Sequence, residues 1–376
     1  MTYLAYCPRC GRKYEDPLKF RCDCGSPLEM EVHADFDRGR VGKSIGSMWR
    51  YLSFFPYLRE EDLVMLGEGW TPLVRLEQGV YAKLDFLNPT GSFKDRGASA
   101  VISAVWRRIV DEGGFVAEDS SGNAGASIAA YAARAGLRAR IYVPSIASGQ
   151  KFNQVRAYGA EVVRVEGSRE EVASRAMEPE NGKFYLGHAW HPIFRDGLRT
   201  LAYEIAEQLG WELPDRIYVP VSSGTGLLGL IDGFSHMDLG KVPQFVACQT
   251  EAVSPLYHAF NNSSYTPPRD LRTIADALIV TKPPLLEIMV KKLKSVGGEV
   301  DIVGEEAIAR SFLWLSRMGI YVEPTSAVAY ACYEKQLSEG KVDAGERVVI
   351  VLTGSGLKAR PKLIDDLIRG AKGRPP

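Results

Sequence analysis

At 376 residues, 45% of them hydrophobic and 24% charged, the chain is long enough for two ordinary domains and has the balance of a soluble globular protein. Lysine plus arginine and aspartate plus glutamate both number 46, which argues against nucleic acid or an anionic membrane surface as a partner. No apolar run approaches the roughly 20 residues of a membrane-spanning helix. The opening Met-Thr-Tyr-Leu-Ala-Tyr-Cys lacks the basic and apolar regions of a signal peptide, so the cytoplasm is the expected setting.

The first thirty residues carry Cys7-Pro-Arg-Cys10-Gly11 and Cys22-Asp-Cys24-Gly25. Each cysteine pair is followed by a glycine able to relax the turn that would aim two thiolates at one ion. A tetrahedral zinc site on Cys7, Cys10, Cys22 and Cys24 is one reading. Reduced thiols on a hairpin that packs without metal is the other, since the second pair is C-x-C and not C-x2-C. Residues 31–62 are mixed and rich in aromatics (Phe36, Trp49, Tyr51, Phe54, Phe55, Tyr57) and read as a wrap around a domain surface. Leu66-Gly-Glu-Gly-Trp-Thr-Pro-Leu73 shows turns only.

Asn88-Pro-Thr-Gly-Ser-Phe-Lys-Asp-Arg-Gly97 is a tight turn that runs into a helical pattern at Ala98, Val101, Ile102 and Val105. Lys94 therefore falls in the first turn of a helix, where the positive end of the helix dipole repels a cation. Together with burial, that repulsion makes the neutral, nucleophilic amine easier to reach. A strand at Phe115–Glu118 leads through Asp119-Ser-Ser-Gly-Asn-Ala-Gly-Ala126 into a helix, which makes an anion site of free backbone amides. Strands at Arg140–Val143, Glu161–Val165 and Lys183–Leu186 alternate with helices at Lys151–Tyr158 and Arg169–Met177, the pattern of a parallel sheet covered on both faces. A long helix at about Arg195–Leu209 leads to a strand at Arg216–Val221 and then to Ser222-Ser-Gly-Thr-Gly-Leu-Leu-Gly229. Gly224, Gly226 and Gly229 satisfy G-x-G-x-x-G, so a nicotinamide dinucleotide site enters as a competing reading. Glu323-Pro-Thr-Ser326 opens a late helix, and a buried strand at Arg347–Leu352 is closed by Thr353-Gly-Ser-Gly-Leu-Lys358.

The Asn88–Gly97 run resembles the Schiff-base lysine motif of fold-type II pyridoxal-phosphate (PLP) enzymes, and its spelling is most similar to that of threonine synthases. Leu66–Leu73 resembles the L-G-E-G-x-T-P-L segment of the same family, and the likeness extends from the N-terminal cysteines almost to the C-terminus. The resemblance implies an α/β fold of the tryptophan synthase β type: two parallel-sheet, three-layer domains with PLP in the cleft, plus a small cysteine-bearing module at 1–35. The large domain would be 36–83 and 188–376, and the small mobile one 84–187. It implies that Lys94 carries the cofactor and that Asn123 holds its 3′-oxygen. Ser222, Ser223, Gly224, Thr225 and Gly226 would cradle its phosphate. Thr353 would meet the ring nitrogen, with Ser355 as the fallback and Glu323 behind the ring. Ser121, Gly122, Asn123 and Ala124 would take the substrate carboxylate. Arg195, with Ser121 and His188, would meet the phosphate of O-phosphohomoserine.

The chain departs from the family's spelling at Ala124, where many members have a hydroxyl, and at His191-Pro-Ile-Phe-Arg-Asp-Gly197 against N-P-Y-R-L-E-G. A basic residue is thereby moved from the position of Phe194 to Arg195. A threonine or serine dehydratase, or another β-elimination or β-replacement enzyme, is the alternative activity. The expected partners are a small amino-acid substrate and a second copy of the chain, as a homodimer.

Overall fold

The computed structural model describes residues 3–31, 34–145, 150–268 and 271–371. Its strands in chain order are β1 (Ala5–Tyr6), β2 (Lys13–Tyr14), β3 (Glu29–Met30), β4 (Leu73–Glu77), β5 (Val80–Lys83), β6 (Phe115–Glu118), β7 (Arg138–Pro144), β8 (Glu161–Val165), β9 (Lys183–Tyr185), β10 (Arg216–Pro220), β11 (Gln244–Thr250), β12 (Glu299–Val303) and β13 (Val348–Val351). The helices are α1 (Lys94–Asp111), α2 (Asn123–Arg134), α3 (Gln150–Ala157), α4 (Arg169–Met177), α5 (Pro192–Gly197), α6 (Arg199–Gln208), α7 (Thr225–Met237), α8 (Pro255–Phe260), α9 (Leu286–Ser295), α10 (Glu305–Arg317), α11 (Pro324–Ser338) and α12 (Pro361–Ala371). The chain folds into two compact units.

The first unit comprises Met1–Trp70, Asn88–Glu204 and Asp232–Leu239. Its main sheet has the order β8-β7-β6-β9 and is parallel throughout. The central strand β6 reads Phe-Val-Ala-Glu and is buried at all four residues, as a parallel strand covered on both faces must be. A second, three-stranded antiparallel sheet of order β2-β1-β3 forms the N-terminal cysteine module. The aromatics of 31–62 point inward: Trp49, Tyr51, Phe54 and Phe55 are fully buried, and Phe36 stacks on Phe54 at 4.6 Å. That stretch supplies core as well as cover.

The second unit comprises Thr71–Leu87, Ile205–Ile231 and Gly240–Pro376. Its six-stranded sheet has the order β12-β11-β10-β13-β5-β4, parallel except for the antiparallel edge hairpin β4-β5. β13 is the unbroken apolar run Val-Val-Ile-Val, and its Val348 and Ile350 join Tyr218, Val246, Phe312 and Val328 in one core cluster. The four-stranded sheet lies inside 84–187, and the first unit also takes in Met1–Trp70 and the stretch as far as Glu204.

The single long helix expected over Arg195–Leu209 is two helices, α5 and α6. Pro192 starts α5 early as its first residue, a position where proline loses no hydrogen bond. The Thr200 hydroxyl donates to the Gly197 carbonyl at 2.7 Å, and Leu198 and Leu201 make tight i to i−3 bonds, so the turn closes between the two helices.

Candidate active site

In the first unit, several buried polar side chains fix the turn and helix that carry Lys94. The Asp95 carboxylate accepts from the Thr90 amide and hydroxyl, both at 2.6 Å, and from the Ser127 hydroxyl of α2 at 2.6 Å. It thereby folds the Asn88–Ser92 turn back onto the helix that the turn feeds. Arg96 forms a two-pronged ion pair with Glu204 at 2.6 and 2.7 Å, both side chains fully closed to water. At Gly97 a Cβ would stand 2.3 Å from the Phe194 ring, so only glycine lets α1 approach α5 this closely. Glu68, from the Leu66–Leu73 segment, is a fully buried hub that accepts from Trp49, Leu66, Ser99 and Tyr131. What read as a loop is a structural knot.

Lys94 itself is buried, its amine 4.5 Å from the centre of the Phe93 ring and 5.9 Å from that of Phe194. Burial lowers the amine from 10.5 to about 7, with Glu118 opposing the shift and Arg169 adding to it. Burial is thus the largest cause of the shift. Behind β6, Gly122 stands at the N-cap of α2, and Asn123 opens the helix with its Oδ1 buried. Ser121 and Gly122 are half-buried, and Ala124 is buried in the helix's first turn.

In the second unit, β10 runs into Ser222–Gly226 and α7 begins at Thr225. Gly224 has φ +91°, and a Cβ there would meet the Met289 sulfur at 2.2 Å. Glycine is thus required at 224 by its left-handed backbone and by close packing on Met289, in a turn that leads into a helix N-terminus. Ser222 is half-buried, and Ser223 and Thr225 are buried. The Ser326 hydroxyl of α11 accepts from the Thr353 and Gly354 amides at 3.0 and 2.9 Å and lies 3.2 Å from the Thr353 hydroxyl. Ser355 is used elsewhere, capping a short turn by accepting from the Leu357 amide. Glu323 is buried at the N-cap of α11, its amide donating to the Gly354 carbonyl at 2.8 Å.

Each unit carries groups that fit part of pyridoxal phosphate: in the first, a buried amine close to neutrality suits an aldehyde; in the second, a glycine turn at a helix start suits a phosphate and a hydroxyl beside Ser326 suits a ring nitrogen.

The four thiols of the N-terminal module also meet. Cys7, Cys10, Cys22 and Cys24 place their sulfurs within 4.8 Å of one another. Gly11 at φ +73° and Gly25 at φ +85° close the two turns, as their spacing suggested. Sulfur-directed donors complete the cluster: the Cys10 amide to Cys7, and the Tyr14 hydroxyl and Cys24 amide to Cys22.

Arg195 does not go where the sequence reading sent it. Its guanidinium is buried and donates to the carbonyl of Leu28, beside β3 of the cysteine module, with Glu29 and Asp232 as the nearest opposite charges. A step of one residue along a helix turns a side chain by about 100°, so Phe194 faces Lys94 and Arg195 faces the module. His188 is bound to Glu118, its amide donating at 2.9 Å and its ring Nδ1 lying 2.7 Å from the carboxylate. Glu118 was missed by the sequence reading. The signal was there: an acid inside an otherwise apolar parallel strand needs a reason to be buried.

The sequence model described as pyridoxal-phosphate dependent enzyme matches residues 64–354. Threonine synthase of Methanocaldococcus jannaschii is 33% identical over 379 residues, covering 94% of this chain and 93% of that protein. Threonine synthase of Halalkalibacterium halodurans is 33% identical, covering 83% and 90%. Among solved structures, threonine deaminase isoform 2 of Solanum lycopersicum superimposes with a TM-score of 0.71 at 20% identity, over 93% of each chain. Maize serine racemase gives 0.68 at 22% identity, over 90% of this chain and 98% of its own. The fold is that of fold-type II PLP enzymes, and the chain belongs to the pyridoxal-phosphate dependent enzyme family.

Proposed function

We propose that the protein is a threonine synthase, a lyase that converts O-phospho-L-homoserine and water to L-threonine and phosphate. The observation that carries the reading is Lys94: a buried amine brought to about 7 at the head of a helix, inside the motif by which the chain resembles threonine synthases. When bound, PLP supplies an electron sink for the negative charge that develops on the substrate. Lys94 would hold the cofactor and, when free of it, move protons to and from the substrate carbons. Ser121, Gly122 and Ala124, at the start of α2, would take the substrate carboxylate, and Asn123 the cofactor's 3′-oxygen. Ser222, Ser223, Gly224, Thr225 and Gly226 would hold the cofactor phosphate with their amides, and Thr353 its ring nitrogen. The commitment of Ser355 to a cap favours Thr353 in that role.

One observation favours a second reading. With the Arg195 guanidinium on Leu28, the substrate phosphate lacks the arginine expected for it, and Ala124 brings no hydroxyl. A dehydratase acting on threonine or serine needs neither. The deciding assay supplies O-phosphohomoserine and follows phosphate and threonine together. Equal release of both supports the synthase. Ammonia and a 2-keto acid from threonine or serine, without turnover of O-phosphohomoserine, establish the dehydratase instead.

The proposal extends to a structural zinc on Cys7, Cys10, Cys22 and Cys24, to a homodimer and to a cytoplasmic setting. No helix among the described residues is long and apolar enough to cross a membrane. Metal analysis and light scattering test the first two: about one zinc per chain, and twice the mass of 376 residues.

A further inference from the structure

A lysine that must both take and give protons in a site shielded from water needs a second place for the proton. Three observations put such a place beside Lys94. Glu118 ends β6 directly ahead of the Asp119–Asn123 turn and is wholly closed to solvent. His188 grips both of its oxygens, by its amide at 2.9 Å and by ring Nδ1 at 2.7 Å. Finally, His188 and Lys94 flank one phenyl ring: the His188 ring centre lies 6.0 Å from that of Phe194 and the Lys94 amine 5.9 Å from it. A buried acid at a strand end, with no arginine or lysine bonded to it among the described residues, is costly, and packing alone does not call for it.

We propose that Glu118, oriented by His188, is the proton partner of the Lys94 amine and acts on the reaction through it. The exchange balances: a carboxylic acid with a neutral amine becomes a carboxylate with an ammonium, and no other bond changes. His188 stays bonded in both states, because a neutral imidazole nitrogen donates to a carboxylate or accepts from an acid. Burial raises Glu118 to about 7, against the pull of the His188 amide, Arg169 and Lys94, so the two groups are matched for exchange. Arg169 and Asp119 also act on them. Arg169 on α4 donates to the Asp119 carbonyl at 2.6 Å and favours a charged Glu118 and a neutral Lys94. Asp119 bears the opposite sign and is held by the Tyr185 hydroxyl at 2.7 Å. Burial and the nearby Lys94 and Arg169 hold His188 well below its usual range, hence neutral.

The inference rests on Lys94 being the cofactor lysine and is indifferent to which amino acid is the substrate. The test strips the full-length protein of cofactor, adds PLP at a series of pH values and traps the adduct with borohydride. Mass spectrometry then gives the rate of labelling at Lys94, which follows the neutral amine. Wild type should show a midpoint near 7. Glu118→Gln keeps the shape but removes the facing anion that favours the ammonium, so the midpoint should fall by about one pH unit. Glu118→Asp keeps the carboxylate and should move back toward wild type. His188→Gln withdraws the ring donor, leaves more Glu118 neutral, and should lower the midpoint in the same direction by less. It carries the test should Glu118→Gln fail to fold. Coincident midpoints in wild type and whichever variant folds would overturn the inference while leaving Lys94 as the cofactor lysine. Label on another lysine would overturn both.

Discussion

The surroundings of Lys94 and the four-cysteine module prepare for a guest in opposite ways. Around Lys94 much of the polar framework is already paired within the protein. Asp95 holds Thr90 and Ser127, Arg96 holds Glu204, and water is kept out, so the amine is left near neutrality. The module does the reverse. It gathers four thiols at short range, two buried and two exposed, on strands of only two residues each, with little apolar core of its own. A cofactor bonded through one atom needs a rigid, dry pocket built beforehand. A metal held by four ligands can itself supply much of the structure it binds to.

The largest effect should come from the amine itself. Lys94→Ala should abolish the visible absorption band that borohydride bleaches and lower turnover by about a thousandfold or more, measured by spectrum and assay on the same sample. A variant that keeps its band would break the comparison at its root. Next comes the framework. Arg96→Met strands the Glu204 carboxylate in the interior and should cost about 3–5 kcal/mol in urea unfolding. Cys7→Ser should release zinc and lower the melting temperature while leaving the visible band intact, so that metal analysis and spectrum move independently. Smallest of all should be the effect of Arg195→Met on KM for O-phosphohomoserine, less than about twofold, with about 1–3 kcal/mol lost in stability as the Leu28 carbonyl loses its donor. A large rise in KM with unchanged stability would return Arg195 to the substrate.

Much of the first half of this picture could be read from the sequence because it is local. The Asn88–Gly97 turn, the strand at Phe115–Glu118 and the strand at Glu161–Val165 depend on neighbours within a few residues, and their limits match. Long-range choices were not legible. Nothing in the order of residues says that Glu68 accepts from four groups, or that His188 meets Glu118 across 70 positions. The break between α5 and α6 turns on one threonine hydroxyl competing for a carbonyl, which a periodic pattern cannot register. The direction of Arg195 was hidden for a related reason: where a side chain points around a helix is fixed only once α5 is docked between α1 and the N-terminal module.

The hold of Arg195 on Leu28 also makes the first thirty residues hard to lose. A chain clipped behind β3 would leave a guanidinium, and the enclosed His191 ring beside it, facing solvent on a surface made to be covered. α5 carries that surface on one side and lies against α1, the helix headed by Lys94, on the other. Through α5, a disturbance of the cysteine module has a packed route, two helices long, toward Lys94.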